Sequence, residues 1–318
     1  MEALSQELLE AAHCWEATDR VPGRPAMTEF RRALRYQQAR WRESKGYPIG
    51  TQPIVPREGS SARLVGSRLP FDFAHETGAA FVTPNALHAA RARTSYIERQ
   101  QSIDHQRVWA DLLWGPALAF NLFGDLAADL TLADRAVHTW WPDVPGTVCD
   151  VRFAYSPGRL DLSWLGSLSD FEAAFMVDLG DGTKGVVGVR TPYHDLIKRE
   201  IPKPIRLDHY IGITNRSGQF TRRAIDAVNG TKLTVMWLNH LLALSMLQHE
   251  SGAWTWARVV VIHPEGNTDH VEACAQYVDL LVDQSTYSSM TLERVLASGA
   301  LPKRSNSALR ERYLARAS

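Results

Sequence analysis

The chain has 318 residues and a mass of 35.6 kDa, with 45% hydrophobic and 22% charged residues, inside the ordinary range of a globular protein. Thirty-five basic residues balance thirty-five acidic ones, which argues against coating nucleic acid by bulk charge and leaves local basic patches as the source of any such attraction. There is no apolar run of membrane-spanning length and no basic leader at the N-terminus, and Cys14, Cys149 and Cys274 form no CxxC pair, so the expectation is a cytoplasmic chain without membrane span or disulfide scaffold.

From Arg20 to Lys45 eight basic residues (Arg20, Arg24, Arg31, Arg32, Arg35, Arg40, Arg42, Lys45) face two acids, Glu29 and Glu43. The spacing predicts a helix here, opened by Thr28 as N-cap and ended at Gly46. Arg31, Arg35 and Arg42 fall on one face, and Phe30, Leu34 and Trp41 mostly on the other. That basic face reads either as a solvated surface or as an arm that contacts phosphates. Residues 46–84, rich in Gly, Pro and Ser, read as an irregular connector.

Helical periodicity runs from about Leu87 to Leu130, with a break expected at Pro116. Residues 148–155 alternate like a strand, and Ser156-Pro157-Gly158-Arg159 reads as a turn. The strongest local signal follows. Glu172 to Leu179 is strand-like, Asp181-Gly182 is a hairpin turn, and Lys184 to Val189 is a second strand. A basic stretch with Lys198, Arg199, Lys203 and Arg206 comes next. Val228–His249 is predicted as an apolar helix weakened at Gly230, and Thr255–His263 as a buried strand. Asn267–Asp283 is predicted as a helix capped by Asn267, with a shorter helix near Thr291–Ala297. The segment from Lys303 is basic and polar, a helix or a frayed end. The order gives an α/β fold, a central mixed β-sheet flanked by helices with an N-terminal helical extension. The expected divisions are 1–84 for the arm and connector, 85–300 for the core and 301–318 for a basic tail.

No P-loop, GxGxxG, GxSxG or HExxH pattern is present, and no His pairs with Cys at zinc spacing. What stands out is an acid, Glu172, at the start of one hairpin strand, with Val189-Arg190-Thr191-Pro192-Tyr193-His194-Asp195 at the end of the other. Metal-dependent phosphodiester cleavage needs carboxylates at adjacent strand ends to hold a hard divalent ion, and a Lys to steady water or phosphate charge.

These residues, with Tyr155–Asp161, Phe171–Phe175, Gly185–Val189, Pro116–Gly124 and Trp256–Asn267, resemble the restriction-endonuclease-like group of the PD-(D/E)XK nuclease superfamily over about residues 85–300. The resemblance implies a restriction-endonuclease-like core, DNA as partner, Mg2+ or Mn2+ as cofactor, and hydrolysis of a phosphodiester by water. It places the first acid on Glu172. The second acid falls on Arg190 and the Lys on Pro192, so the signature has departed from the family pattern at both positions. Glu172, the Thr191 carbonyl and Asp195 remain as the candidate metal ligands, and Glu172, Arg190, His194 and Asp195 as the candidate catalytic set. Glu98, Asp104 and Asp111 are further acids that could turn toward it. Arg31, Arg35, Arg42, Lys198, Arg199, Lys203 and Arg206 are the candidate nucleic-acid contacts.

Two readings stand beside each other. In one the chain is a metal-dependent DNA phosphodiesterase. In the other it is a catalytically inactive nuclease-fold module that binds nucleic acid or a protein partner, with Glu172 and Arg190 paired across the hairpin. A small-molecule enzyme using the same cleft is a third reading. A homodimer is compatible with each.

Overall fold

The computed structural model describes residues 4–16, 25–56, 61–96, 98, 100–101 and 103–314, without the side chains of residues 25–27; Arg20 and Arg24 lie outside the described residues. The N-terminal part holds α1 (Gln6–Ala11), α2 (Pro25–Ser44), and a small antiparallel pair, β1 (Gly50–Gln52) and β2 (Arg63–Val65). Then come α3 (Phe71–Thr77), α4 (Pro84–Thr94), α5 (Arg107–Ala110), α6 (Gly115–Ala128) and α7 (Leu130–Trp140). The central sheet is made of β3 (Thr147–Tyr155), β4 (Phe171–Asp178), β5 (Lys184–Arg190), β6 (Trp254–His263) and β7 (Tyr287–Thr291). Between β5 and β6 lie α8 (Pro204–Ser217), α9 (Ala224–Val228) and α10 (Thr234–Leu247); α11 (Thr268–Val278), α12 (Leu292–Ala297) and α13 (Lys303–Tyr313) complete the chain.

Strand order follows chain order, β3-β4-β5-β6-β7. The first three strands are antiparallel, and β6 and β7 join parallel to β5. The sheet is therefore mixed and helix-flanked, as the sequence predicts. Strand β4 alternates between two cores: Ala173, Phe175 and Val177 face the one built with α6 and α7, while Ala174 and Met176 face the one built with α8 and α10. Burial on both faces explains why it reads as one continuous apolar run. The same argument covers α10, apolar all round because the sheet and neighbouring helices enclose it. The helix expected over 228–249 starts later, as α10 at Thr234; Val228 ends α9, and Gly230, at φ 66°, lies in the turn between the two. Strand β7 has no counterpart among the elements expected from the sequence. Tyr-Ser-Ser-Met-Thr carries too little apolar character to announce a strand, and only its pairing with β6 makes it one.

Helix α2 differs most from expectation. Thr28 lies inside it, because the helix begins at Pro25, where a fixed φ suits the first turn. Leu34 and Trp41 enter the main core, and the opposite face is covered as well, by α1 with the Ala12–Trp15 segment after it and by Gly66 just past β2. Arg35 donates from Nε to the Cys14 carbonyl (2.9 Å), and Arg42 donates to the carbonyls of Gly66 (3.0 Å) and Tyr47 (2.7 Å). Both guanidiniums are buried and tie the N-terminal part to the body, so neither faces a ligand. The segment expected as a basic tail is mostly helix α13. Its Arg312 is fully buried, stacks 4.5 Å from the Trp41 ring centroid and donates to Gln38 (3.2 Å).

A candidate active site held by a guanidinium

The hairpin of β4 and β5 builds the site. Ala173 pairs with Val189, and one step further in the same register sets Glu172 across from Arg190. The turn is a five-residue loop, 179–183, in which Asp181 accepts from the Thr183 N–H (2.9 Å) and Gly182 takes φ 85°. At the other end, Gly188 leaves room for the Phe171 ring where a side chain would collide with it, and this seats the start of β4. Asp170 and Glu172 are thereby held, nearly fully buried, beside the end of β5.

Their charges are neutralised by arginine. Arg190 Nη2 lies 3.2 Å from Glu172 Oε1, and its Nη1 lies 3.6 Å from Asp170 Oδ1 while donating to the Asp170 carbonyl (3.0 Å). Asp170 Oδ2 meets Arg159 Nη2 at 3.2 Å, and Arg159 Nη1 closes on Glu98. The result is an alternating chain, Glu98–Arg159–Asp170–Arg190–Glu172. Arg159 also donates to the Ala154 carbonyl (2.7 Å) and so fastens the turn that follows β3. Burial works against the charge on Arg190, but Glu172, Asp170 and Asp195 outweigh it, and its pKa lies above the ordinary arginine value.

The second oxygen of Glu172 is also taken. Oε2 accepts from the Thr191 backbone N–H and lies 2.5 Å from the Thr191 hydroxyl, which is 2.9 Å from the Gly115 carbonyl. That hydroxyl has one proton, and the carboxylate is the stronger acceptor. The Thr191 carbonyl packs against the head of α6, where a Cβ on Gly115 would come within 2.6 Å of it. Asp195 keeps solvent access, and its carbonyl accepts from Asn267 (3.4 Å). Desolvation by the surrounding protein, and then the charge of Glu172, push its carboxyl above the usual range. Glu172, Thr191 and Asp195 therefore lie in one region, yet they do not present a divalent ion with free converging oxygens. Among the described residues, no group of three or more His, Cys, Asp or Glu is arranged to hold a metal ion.

The remaining sequence candidates separate. His194 packs toward α2, and burial, followed by the charges of Arg31 and Arg35, holds its pKa well below the usual imidazole value. It is a neutral packing residue with no proton partner on Glu172. Asp111 pairs with Arg107 (2.9 Å) and accepts from the Leu113 N–H (3.1 Å). Asp104 caps the turn that leads into α5. Lys198, Arg199 and Lys203 are exposed on the segment connecting the site to α8, with Ile201 and Ile205 beside them, and Arg206 is half-buried. Sequence reasoning missed Asp170, the acid shared by two arginines. Its signal was present in the i, i+2 spacing to Glu172, which places two acids at one strand end. His270 was also missed; burial, followed by the charges of His263 and Arg190, lowers its pKa to about 3.

The family model of the PD-(D/E)XK nuclease superfamily matches residues 25–315. The chain belongs to that superfamily. No curated protein and no solved structure matches it. The match begins at α2 and ends just past α13, so the superfamily unit includes the N-terminal and C-terminal helices as well as the sheet. Superfamily membership supports a nuclease-like function and an association with nucleic acid. Among the described residues no helix is long and apolar enough to cross a membrane.

Proposed function

We propose that this PD-(D/E)XK protein binds DNA without hydrolysing it, its divalent metal replaced by the guanidinium of Arg190. The observation that carries the reading is the 3.2 Å contact of Arg190 Nη2 with Glu172 Oε1 at the strand-end position of a metal-binding acid pair. A guanidinium stays charged at any working pH, so it satisfies the buried acids permanently. It has no open coordination position and cannot lower the pKa of a bound water, which is what hydrolysis draws from a metal. Pro192, at the position of the superfamily lysine, offers neither charge nor N–H. Binding then rests on the exposed Lys198, Arg199 and Lys203, with Arg206 and Arg31 nearer the body.

The test is plasmid cleavage with Mg2+ or Mn2+. The expected result is no cleavage that depends on Glu172 in the wild-type chain, and metal-dependent nicking in a variant carrying Arg190→Glu with Pro192→Lys. Wild-type cleavage that Glu172→Ala abolishes would overturn the reading. So would failure to retain duplex DNA at low salt.

A further inference from the structure

A second concave site lies on the far side of Arg159, on the open edge of β3. It is a cleft of about 770 Å³ between α4, α6 and the segment Val151–Pro157, within the roughly 300–1,000 Å³ typical of small-ligand sites. Its floor is made of alanines from α4 and α6, brought close because Gly124 packs directly on the Ala86 backbone. Two tyrosines line it, each beside an arginine: the Arg93 guanidinium carbon is 5.0 Å from the Tyr96 ring centroid, and that of Arg152 is 5.5 Å from the Tyr155 ring. Tyr96 is 53% exposed, with Arg93 against its ring and its hydroxyl on Glu98. Arg93 is almost fully buried and holds the edge of β3 by donating to the Phe153 carbonyl (3.0 Å).

The polar groups are not symmetrical in charge. Glu98 is engaged by Arg93 (3.3 Å), by Arg159 and by the Tyr96 hydroxyl (2.7 Å), and its pKa is lowered despite an opposing desolvation. Arg152 is exposed and binds Asp150 through Nε (2.7 Å); among the described residues its terminal nitrogens make no hydrogen bond. His88 stands exposed at the rim. The strand itself bends here, with Ala154 held at φ 47°, a left-handed conformation disfavoured for any residue with a Cβ. Strain of this kind persists where the surroundings over-determine it, and it gathers at ligand sites.

We propose that this cleft binds a single nucleotide unit, a planar base on the Tyr96 ring with its phosphate at Arg152. The inference deepens the nucleic-acid reading above and places one nucleotide of the bound strand at β3. An exposed aromatic face and an exposed arginine lining the same cleft are the combination that binds a nucleotide without reading its sequence. The link to the hairpin site is physical, since Arg159 touches both Glu98 at the cleft and Asp170 at the Arg190 cluster.

Binding of 5′-dAMP, of deoxyadenosine and of inorganic phosphate would be measured on the folded full chain by saturation-transfer NMR and calorimetry. The expected order is dAMP above deoxyadenosine above phosphate. Tyr96→Ala should weaken dAMP binding roughly 5- to 100-fold, as for loss of one stacking ring, while Tyr96→Phe retains it. Arg152→Ala should reduce dAMP to the level of deoxyadenosine. No dAMP signal, phosphate binding as well as dAMP, or a Tyr96→Ala variant that is folded and binds normally would each overturn the proposal. Duplex DNA serves as a separate arm. DNA binding without dAMP binding removes the cleft and keeps the module reading, and dAMP binding without DNA binding does the reverse.

Discussion

Arg190→Ala removes the cation from between Glu172 and Asp170, and two effects of opposite sign follow. Each carboxylate lies 3.2–3.6 Å from a guanidinium nitrogen, a Coulomb attraction of about 4–5 kcal/mol at an effective dielectric near 20, before desolvation is subtracted. Losing one member of a buried pair typically costs about 3–5 kcal/mol, because the other charge stays behind unpaired. The Arg190 side chain is 26% exposed, so water partly replaces it, and the expected loss is about 2–4 kcal/mol. For a chain of this length that lowers Tm by roughly 3–6 °C. The same change takes the guanidinium off Asp170 Oδ1 and Glu172 Oε1, near Asp195. A hard divalent ion should then bind to oxygens that the guanidinium occupies in the wild type. Mn2+ at ten times its Kd would return about 1.4 kcal/mol, roughly 2 °C. Thermal melting with and without millimolar Mn2+ reads both effects. The reasoning fails if Arg190→Ala is as stable as the wild type, or if Mn2+ raises the wild-type and variant Tm equally.

Stability should also fall between pH 7.5 and 5.5. Burial lowers the pKa of His240 to about 3, and His270 is held at the same value, so both are neutral in the fold and gain protons only on unfolding. Each histidine is depressed below its unfolded value near 6.5, so its stabilisation is full above that pH and declines as pH drops toward the folded value, by about 1.4 kcal/mol per histidine at pH 5.5. Urea unfolding across that window checks the slope, and a flat profile contradicts it. Gly115→Ala should cost about 1–3 kcal/mol, since its Cβ would lie 2.6 Å from the Thr191 carbonyl; an unchanged urea midpoint would refute that packing. Replacing Lys198, Arg199 and Lys203 together by Ala should flatten the log–log salt dependence of duplex binding by up to about 0.9 for each phosphate no longer neutralised, read by fluorescence anisotropy. Arg42→Ala should leave that slope unchanged and lower Tm, because its guanidinium is spent on the Gly66 and Tyr47 carbonyls.

Local patterns carried the hairpin. Short apolar runs on either side of an Asp-Gly turn are properties of a few neighbouring positions, so β4, β5 and the facing of Glu172 by Arg190 were legible without tertiary information. The cap at Asn267 was legible for the same reason, because its side chain bonds to the His270 N–H three residues on. The two departures from the superfamily signature were also visible, since they are identities at fixed positions.

Whether an arginine is exposed is decided by segments distant in the chain. Arg35 and Arg42 have the helical spacing of a solvated face, and they are buried because the segments just after α1 and just after β2 return over them with the Cys14 and Gly66 carbonyls in need of donors. The sharing of Asp170 by Arg159 and Arg190 required the turn after β3 to reach Asp170, 11 residues on, and Asp170 to meet the end of β5, 20 residues further along. Strand β7 exists through the hydrogen bonds offered by β6, and the cleft at β3 exists because two helices meet an open strand edge. Sequence alone determined the identities and the local geometry of this protein's charged hairpin. Its tertiary structure decided which of those charges are spent on each other and which are left for a ligand, because burial and pairing depend on surfaces the chain brings together only when it folds.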